Sequence, residues 1–147
     1  MKNKFKIKSY KTLYPLTLYV CTYEELEDVK KKFDAYSLME DLRTQTNPKT
    51  IITDFFGHGF TGLVMERTNG NLGVLVSLED ELADVATIAH ESVHVADAIF
   101  DYCGMCGQGF DESNEPYAYL VGWIVGKISE YLTEYKRNKE ASEKRED

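Results

Sequence analysis

The 147-residue chain is poor in positive charge and has no long apolar run. Lys and Arg number 17 against 25 Asp and Glu, so the formal net charge is −8. Because nucleic-acid-binding domains usually carry the opposite excess, we expect no nucleic-acid partner. No apolar run approaches the roughly 20 residues that span a bilayer, so we expect neither a membrane-spanning helix nor a membrane partner.

Cysteine is also scarce, with Cys21, Cys103 and Cys106 making an odd number. The apolar stretch at 13–20 contains Pro15 and two tyrosines and lacks a small-residue cleavage site, so no export signal is predicted. We therefore expect reduced thiols in a cytoplasmic protein rather than a disulfide framework. Cys103 and Cys106 have the spacing of zinc ligands, but no second pair follows them, which favours a plain loop or a redox-sensitive pair.

The polar and apolar patterns predict the secondary structure. Alternation and turn residues predict strands at 4–8, 16–21, 50–56, 62–67 and 72–77, the last two forming a hairpin about Asn69-Gly70. Capping boxes and helical periodicity predict helices from Thr22 to about Ala35, from Leu78 to Asp101, and from Glu115 to Lys139.

Strands come first in the chain and the two long helices come last, an order typical of the α+β class. We expect one domain over residues 1–140 and a charged, frayed tail over 141–147. Its architecture should be a small, twisted, mostly antiparallel sheet packed on the helix of residues 78–101 and on a second long C-terminal helix.

Two of the three histidines lie in the sequence His90-Glu91-Ser92-Val93-His94. Positions i and i+4 of a helix lie on the same face, so both imidazoles can converge on one metal ion. Glu91 projects to the side of the pair, where it can meet a water on that ion. This pattern predicts His90 and His94 as ligands of a single metal ion, with Glu91 beside a water on it. The alternative is a pair of ordinary helical histidines with an incidental glutamate.

The charge around this motif favours a divalent cation. From Thr68 to Gly126 there is no Lys or Arg, while ten Asp and Glu fall in the same stretch. Such a field attracts cations and disfavours anionic ligands. Asp97 and Asp101 continue the polar stripe of the histidines along the predicted helix, although they could also simply solvate its end.

A catalytic zinc site usually has three protein ligands. Glu115 lies 21 residues beyond His94 at the start of the next predicted helix and is the favoured third ligand, with Asp101 the second choice. The alternative for Glu115 is an acid placed at a helix N-terminus by the helix dipole.

Together, His90-Glu91-x-x-His94 and Asn114-Glu115-Pro116-Tyr117-Ala118 resemble the gluzincin zinc metallopeptidases, in a minimal single-domain, zincin-like form of bacterial or phage type. The resemblance covers roughly residues 72–125 and implies zinc bound by His90, His94 and Glu115. The sequence departs from the thermolysin relatives at Tyr119, where they have an acidic residue. Which group orients His90 is therefore open between Asp97 and Asp111.

The resemblance implies a peptidase that hydrolyses a peptide or protein substrate with a metal-activated water and Glu91 as the base. An oxyanion donor could be Tyr117, Tyr119 or His58, and Asn114 is a further candidate beside the site. The alternative for His58, which lies between two glycines, is a turn residue. The hairpin strand Leu72–Val76 is expected to pair with an extended peptide.

A second function is a zincin-like domain that binds metal without turnover, as a structural or interaction protein. A third is a metal-free module in which the His-Glu-x-x-His match is accidental. The sequence leaves the oligomeric state open.

Overall fold

The computed structural model describes residues 7–36 and 59–146. The predicted loop at 44–49, the predicted strand at 50–56, His58 and most of the predicted strand at 4–8 lie outside these ranges. The elements, in chain order, are β1 (Lys8–Lys11), β2 (Thr17–Thr22), a 3-10 turn (Tyr23–Glu25), α1 (Leu26–Lys32), β3 (Phe33–Tyr36), β4 (Gly59–Glu66), β5 (Leu72–Leu78), α2 (Val85–Tyr102), a second 3-10 turn (Phe110–Glu112) and α3 (Glu115–Glu146).

The five strands form one mixed sheet in the order β1-β2-β5-β4-β3. Three neighbouring pairs are antiparallel, and β2 and β5 are parallel, with Thr17 opposite Gly73. The α+β class is thus confirmed. Within the described ranges no helix is both long and apolar enough to cross a bilayer.

The β4–β5 hairpin confirms the prediction from Asn69-Gly70. Met65 pairs with Leu72, and the N–H of Gly70 donates to the carbonyl of Glu66 over 2.8 Å. Gly70 has a φ of 72°, which glycine adopts without steric cost. Gly70 thus supplies the left-handed residue that closes this turn.

Helices α2 and α3 cover one face of the sheet. Their buried residues, among them Val95, Ile99, Ile124 and Ile128, share one core with β2, β4 and β5. The opposite face carries a smaller core in which Val29 of α1 and Phe33 of β3 pack on Tyr19 and Leu75. The sheet is thus the layer that fixes α2 relative to the hairpin.

Helix α2 begins at Val85, seven residues later than predicted. Ser77 lies within β5 opposite Cys21 and therefore cannot cap a helix. The N-cap is Asp84, whose carboxylate accepts the backbone N–H of Thr87 over 2.8 Å. Val85, the first helical residue, is exposed.

Two other predicted helix ends are also wrong. The capping box of Thr22 and Glu25 is present, but α1 ends at Lys32 because Phe33–Tyr36 pair with β4. In the other direction, α3 continues to Glu146, beyond the predicted end at Lys139.

The two long helices are antiparallel. At one end the hydroxyl of Tyr117 donates to Asp97 over 2.7 Å. At the other end Lys139 Nζ lies 2.8 Å from Glu81 Oε1, just before α2 begins. The start of α3 is therefore level with the last turns of α2.

Candidate metal centre

The rings of His90 and His94 lie together on the exposed face of α2. Their centroids are 4.8 Å apart, and their Nε2 atoms are 3.1 Å apart. This contact is a hydrogen bond if one ring carries a proton on Nε2. A tetrahedral zinc with Zn–N bonds of 2.0–2.1 Å would hold two nitrogens about 3.3 Å apart. The two imidazoles thus fit as neighbouring ligands of one zinc ion with little movement.

Glu91, between the two histidines, turns away from them and is buried against the start of β4. Its side chain is 6% exposed. Its Oε2 accepts the hydroxyl of Thr61 over 2.5 Å, and Thr61 is buried as well. The carboxylate is thus held between the helix and the strand rather than in open solvent.

Gly59 makes this approach possible. A Cβ placed on Gly59 would lie 2.9 Å from Cγ of Glu91 and 3.0 Å from its Oε1. A side chain there would displace the Glu91 carboxylate from its present position, so the glycine keeps this place open for it.

Thr61 and Gly59 are the site residues that the sequence did not reveal. Gly59 stands out only as a break in a strand pattern, and a glycine within a strand often marks a close approach of another group. For Thr61 the sequence carries no signal, because its partner lies 30 residues away on another element.

Tyr23 lies in a negative field that includes Glu91. Burial raises the pKa of the Tyr23 phenol, and the charges of Glu79 and Glu91 raise it further. Tyr23 follows β2 and Glu79 follows the parallel strand β5, so both lie at the carboxyl ends of these strands. The sequence from 68 to 126 contains no Lys or Arg, but Lys139 of α3 reaches Glu81, two residues beyond Glu79.

Glu115 is exposed and lies at the first position of α3. It lines a groove of about 850 Å³ whose other walls include Tyr14, Tyr119 and Trp123. Tyr117 meets Asp97, three residues after His94, so at 1.5 Å per residue Glu115 starts roughly 7 Å along the axis from His94.

Across residues 7–36 and 59–146, no three His, Cys, Asp or Glu side chains are spaced to hold a metal. Glu115 and Asp101 as third ligand therefore remain predictions. The structure brings the two histidines together, but it groups neither Glu115 nor Asp101 with them.

Asp97, a candidate for orienting His90, and Tyr117, a candidate oxyanion donor, are hydrogen-bonded to each other. Burial and the hydrogen bond to Asp97 together raise the pKa of Tyr117 to about 12. Asn114 Oδ1 accepts the N–H of Gln108 over 2.9 Å and so closes the loop before α3.

Tyr119 and Asp111 are both exposed. Tyr119 lines the groove beside Glu115, and Asp111 lies in the second 3-10 turn. The oxyanion role of Tyr119 and the orienting role of Asp111 remain predictions.

The two neighbouring cysteines lie in the loop after α2. Cys103 is partly buried, which raises the pKa of its thiol, while Cys106 is exposed. Both are free thiols, as is the buried Cys21.

Comparison with known proteins identifies no relative. No family model matches the chain, and neither a curated protein nor a solved structure is similar to it. What the chain does must therefore be inferred from the arrangement of its own residues.

Proposed function

We propose that the protein is a zinc-dependent peptidase whose metal centre is built on α2. The observation that carries this proposal is the 3.1 Å approach of the His90 and His94 Nε2 atoms, on a helix that also carries the buried, anchored carboxylate of Glu91. An ordinary pair of surface histidines has no need of a buried glutamate between them, since burying a carboxylate is costly.

The proposed ligands are His90, His94 and Glu115. A bound zinc ion would supply an acidified water and would polarise the scissile carbonyl. Glu115 is favoured because the resemblance to gluzincins selects it and because the first turn of α3 contacts α2 through Tyr117 and Asp97. Its carboxylate would have to come closer to His94 than it lies in this structure.

Glu91 is the proposed proton carrier. Thr61 occupies Oε2 and leaves Oε1 beside Gly59, where no side chain stands. Oε1 is thus the atom that would take a proton from water and return it to the leaving amine. The hydroxyl of Thr61 fixes the carboxylate so that little reorganisation is needed when the proton moves.

The strand Leu72–Val76 cannot pair with an extended peptide, so the earlier expectation for it is wrong. β5 lies between β2 and β4, and both of its edges are paired.

The first test is metal analysis of protein purified without a His tag. We expect about one zinc per chain, and we expect His90→Ala and His94→Ala each to lose it. Glu115→Ala should weaken zinc binding at least tenfold in a chelator competition, with Asp101→Ala as the matched control. Unchanged affinity for Glu115→Ala together with a loss for Asp101→Ala would transfer the third-ligand role to Asp101.

The second test is hydrolysis of an unfolded, fluorescently labelled protein substrate. Turnover should disappear with a chelator and return on adding zinc. Stoichiometric zinc without turnover on any peptide library would favour the alternative, a zincin-like domain that binds metal as a structural or interaction protein. If the purified protein contains no zinc, the His-Glu-x-x-His match is accidental.

A further inference from the structure

The groove beside Glu115 is apolar and open to solvent. It lies between the first turns of α3 and the connection from β1 to β2. Leu13 lines it and is fully exposed, Tyr119 is 75% exposed, and Trp123 is half-buried. The charged side chains of its lining are Lys11 and Glu115, one of each sign. The groove is therefore a neutral, apolar surface on a chain whose net charge is −8, and such exposed surfaces mark interaction sites.

The strand wall of this groove runs antiparallel to its helix wall. As the chain proceeds from β1 into the groove, its residues meet progressively earlier parts of α3. Lys8 Nζ lies 2.5 Å from Glu134 Oε2, Lys127 Nζ lies 5.6 Å from the centre of the Tyr10 ring, and Tyr14 and Tyr117 both pack edge-on against Phe100. Lys11 follows Tyr10 directly, so it lies closer to the level of Lys127 than to the start of α3.

Lys11 and Glu115 thus lie toward opposite ends of the groove. Glu115 is the first residue of α3, and Trp123, eight residues later, is about 12 Å further along the helix axis. Lys11 lies toward the Trp123 end. Within residues 7–36 and 59–146, neither Lys11 nor Glu115 has an ion-pair partner. One end of the groove therefore presents an unpaired ammonium and the other an unpaired carboxylate in this part of the chain.

We propose that this groove is the contact surface of a homodimer, with a two-fold axis that crosses the groove at right angles midway between its ends. Such an axis places Lys11 against Glu115 of the partner subunit and repeats the same pair on its other side, as in any isologous contact. A second copy of the chain is the partner that these charges fit, because the surface is complementary to itself. The inference goes beyond the proposed function and does not rest on it, since it uses Glu115 where the structure holds it.

Tyr119 lies at the centre of the proposed contact. It is four residues from Glu115 and four from Trp123, so the axis brings it against Tyr119 of the partner subunit. Ala118 and Gly122 lie on either side of it in the lining, and a Cβ added at Gly122 would meet no atom within 4 Å. These small residues leave room for the partner's aromatic ring. The contact thus has an aromatic centre between two ion pairs.

The test is the oligomeric state by analytical ultracentrifugation, with a chelator present so that no metal competes for Glu115. The wild type should sediment as a dimer. Lys11→Glu and Glu115→Lys should each sediment as monomers, because each reversal creates two like-charge contacts in the dimer. An equimolar mixture of the two variants should recover the dimer, since one variant then carries two acids in the groove and the other carries two lysines.

Matched controls separate the groove from general charge and general hydrophobicity. Lys144→Glu and Glu143→Lys make the same charge changes at exposed positions outside the groove and should leave the dimer intact. Tyr119→Ala should raise the dissociation constant at least about tenfold, because buried aromatic residues contribute most to such contacts. Leu82→Ala, at a residue that is 72% exposed outside the groove, should leave it unchanged.

Three results would overturn the inference. The first is a wild type that stays monomeric up to about 100 μM, a concentration at which a specific contact of micromolar affinity would be populated. The second is a dimer that survives both charge reversals, which would place the contact on another surface. The third is a mixture of Lys11→Glu and Glu115→Lys that stays monomeric, which would exclude the two-fold pairing of these residues.

Discussion

Two buried glutamates, Glu25 and Glu91, are alike in exposure and differ in what holds them. Each accepts a threonine hydroxyl, Thr22 for Glu25 over 2.6 Å and Thr61 for Glu91 over 2.5 Å. Glu25 also accepts the backbone N–H of Thr22, so a capping box within four residues satisfies it. Glu91 depends on a strand 30 residues away.

This difference separates a carboxylate that shapes its own turn from one that joins two distant elements. The capping box needs Glu25 wherever the turn after β2 forms, and its role is complete within the turn. Glu91 serves no turn or helix end, because it lies in the middle of α2. The comparison therefore gives Glu25 a local role in its turn, whereas Glu91 links α2 to β4 and is the residue for which we propose proton transfer.

The largest expected effect is on turnover. Glu91→Gln should keep zinc and lower the rate of peptide hydrolysis by about 100- to 10,000-fold, because the amide cannot accept the proton of water. Glu25→Gln, the matched control, should leave the rate within about twofold. Equal losses in the two variants, or full activity in Glu91→Gln, would erase the distinction between them.

The next effect is steric. Gly59→Ala should lower the free energy of unfolding by about 1–3 kcal/mol and displace Glu91, because the added Cβ would lie 2.9 Å from its Cγ. The same substitution at Gly126, in α3 with open space around it, should raise stability by about 0.5–1 kcal/mol. Urea unfolding measures both, and a neutral Gly59→Ala would mean that the strand does not constrain the carboxylate.

Removing the hydroxyl that anchors Glu91 should cost less. Thr61→Val leaves a buried carboxylate oxygen without its donor, which we expect to cost about 1–2 kcal/mol and to slow hydrolysis several-fold. Thr61→Ser should recover most of both losses because it returns the hydroxyl. If Thr61→Ser and Thr61→Val have the same free energy of unfolding in urea and the same rate of hydrolysis, the hydrogen bond does not hold Glu91 in place.

The smallest effect concerns pH and Glu25. Burial raises the pKa of Glu25 above its ordinary value of 4.5, although the hydrogen bonds from Thr22 oppose the rise. The folded protein therefore keeps the Glu25 proton to a higher pH than the unfolded chain. The contribution of Glu25 to the free energy of unfolding thus falls as the pH rises from about 4.5 through the folded pKa. The difference in unfolding free energy between wild type and Glu25→Gln, measured from pH 4 to 7, should show this decline. A difference that is constant with pH would contradict it.

Features set by neighbouring residues could be predicted from the sequence. The Asn69-Gly70 hairpin, the capping box at Thr22 and the convergence of His90 with His94 are all local and all present. The misplaced start of α2 and end of α1 have a common cause, because sheet pairing of Ser77 and of Phe33–Tyr36 overrides local helix signals.

The surroundings of the histidine pair could not be predicted, since they depend on tertiary contacts. No periodicity places Gly59 and Thr61 against Glu91, because these residues meet only when the hairpin and α2 pack together. The relative position of α2 and α3 along their axes is equally invisible in the sequence. It depends on Tyr117 reaching Asp97 and on Lys139 reaching Glu81.

The parallel pairing of β2 with β5 has a consequence for how the molecule folds. It joins Thr17 to Gly73, 56 positions apart, whereas β4 and β5 are joined by a short turn. Hairpins form in roughly 1–10 μs, while pairings between distant segments must first overcome the entropy of closing a long loop. We therefore expect β4 and β5 to associate early and β2 to join the sheet late. The pairing of β2 with β5 should then be the slowest step of refolding.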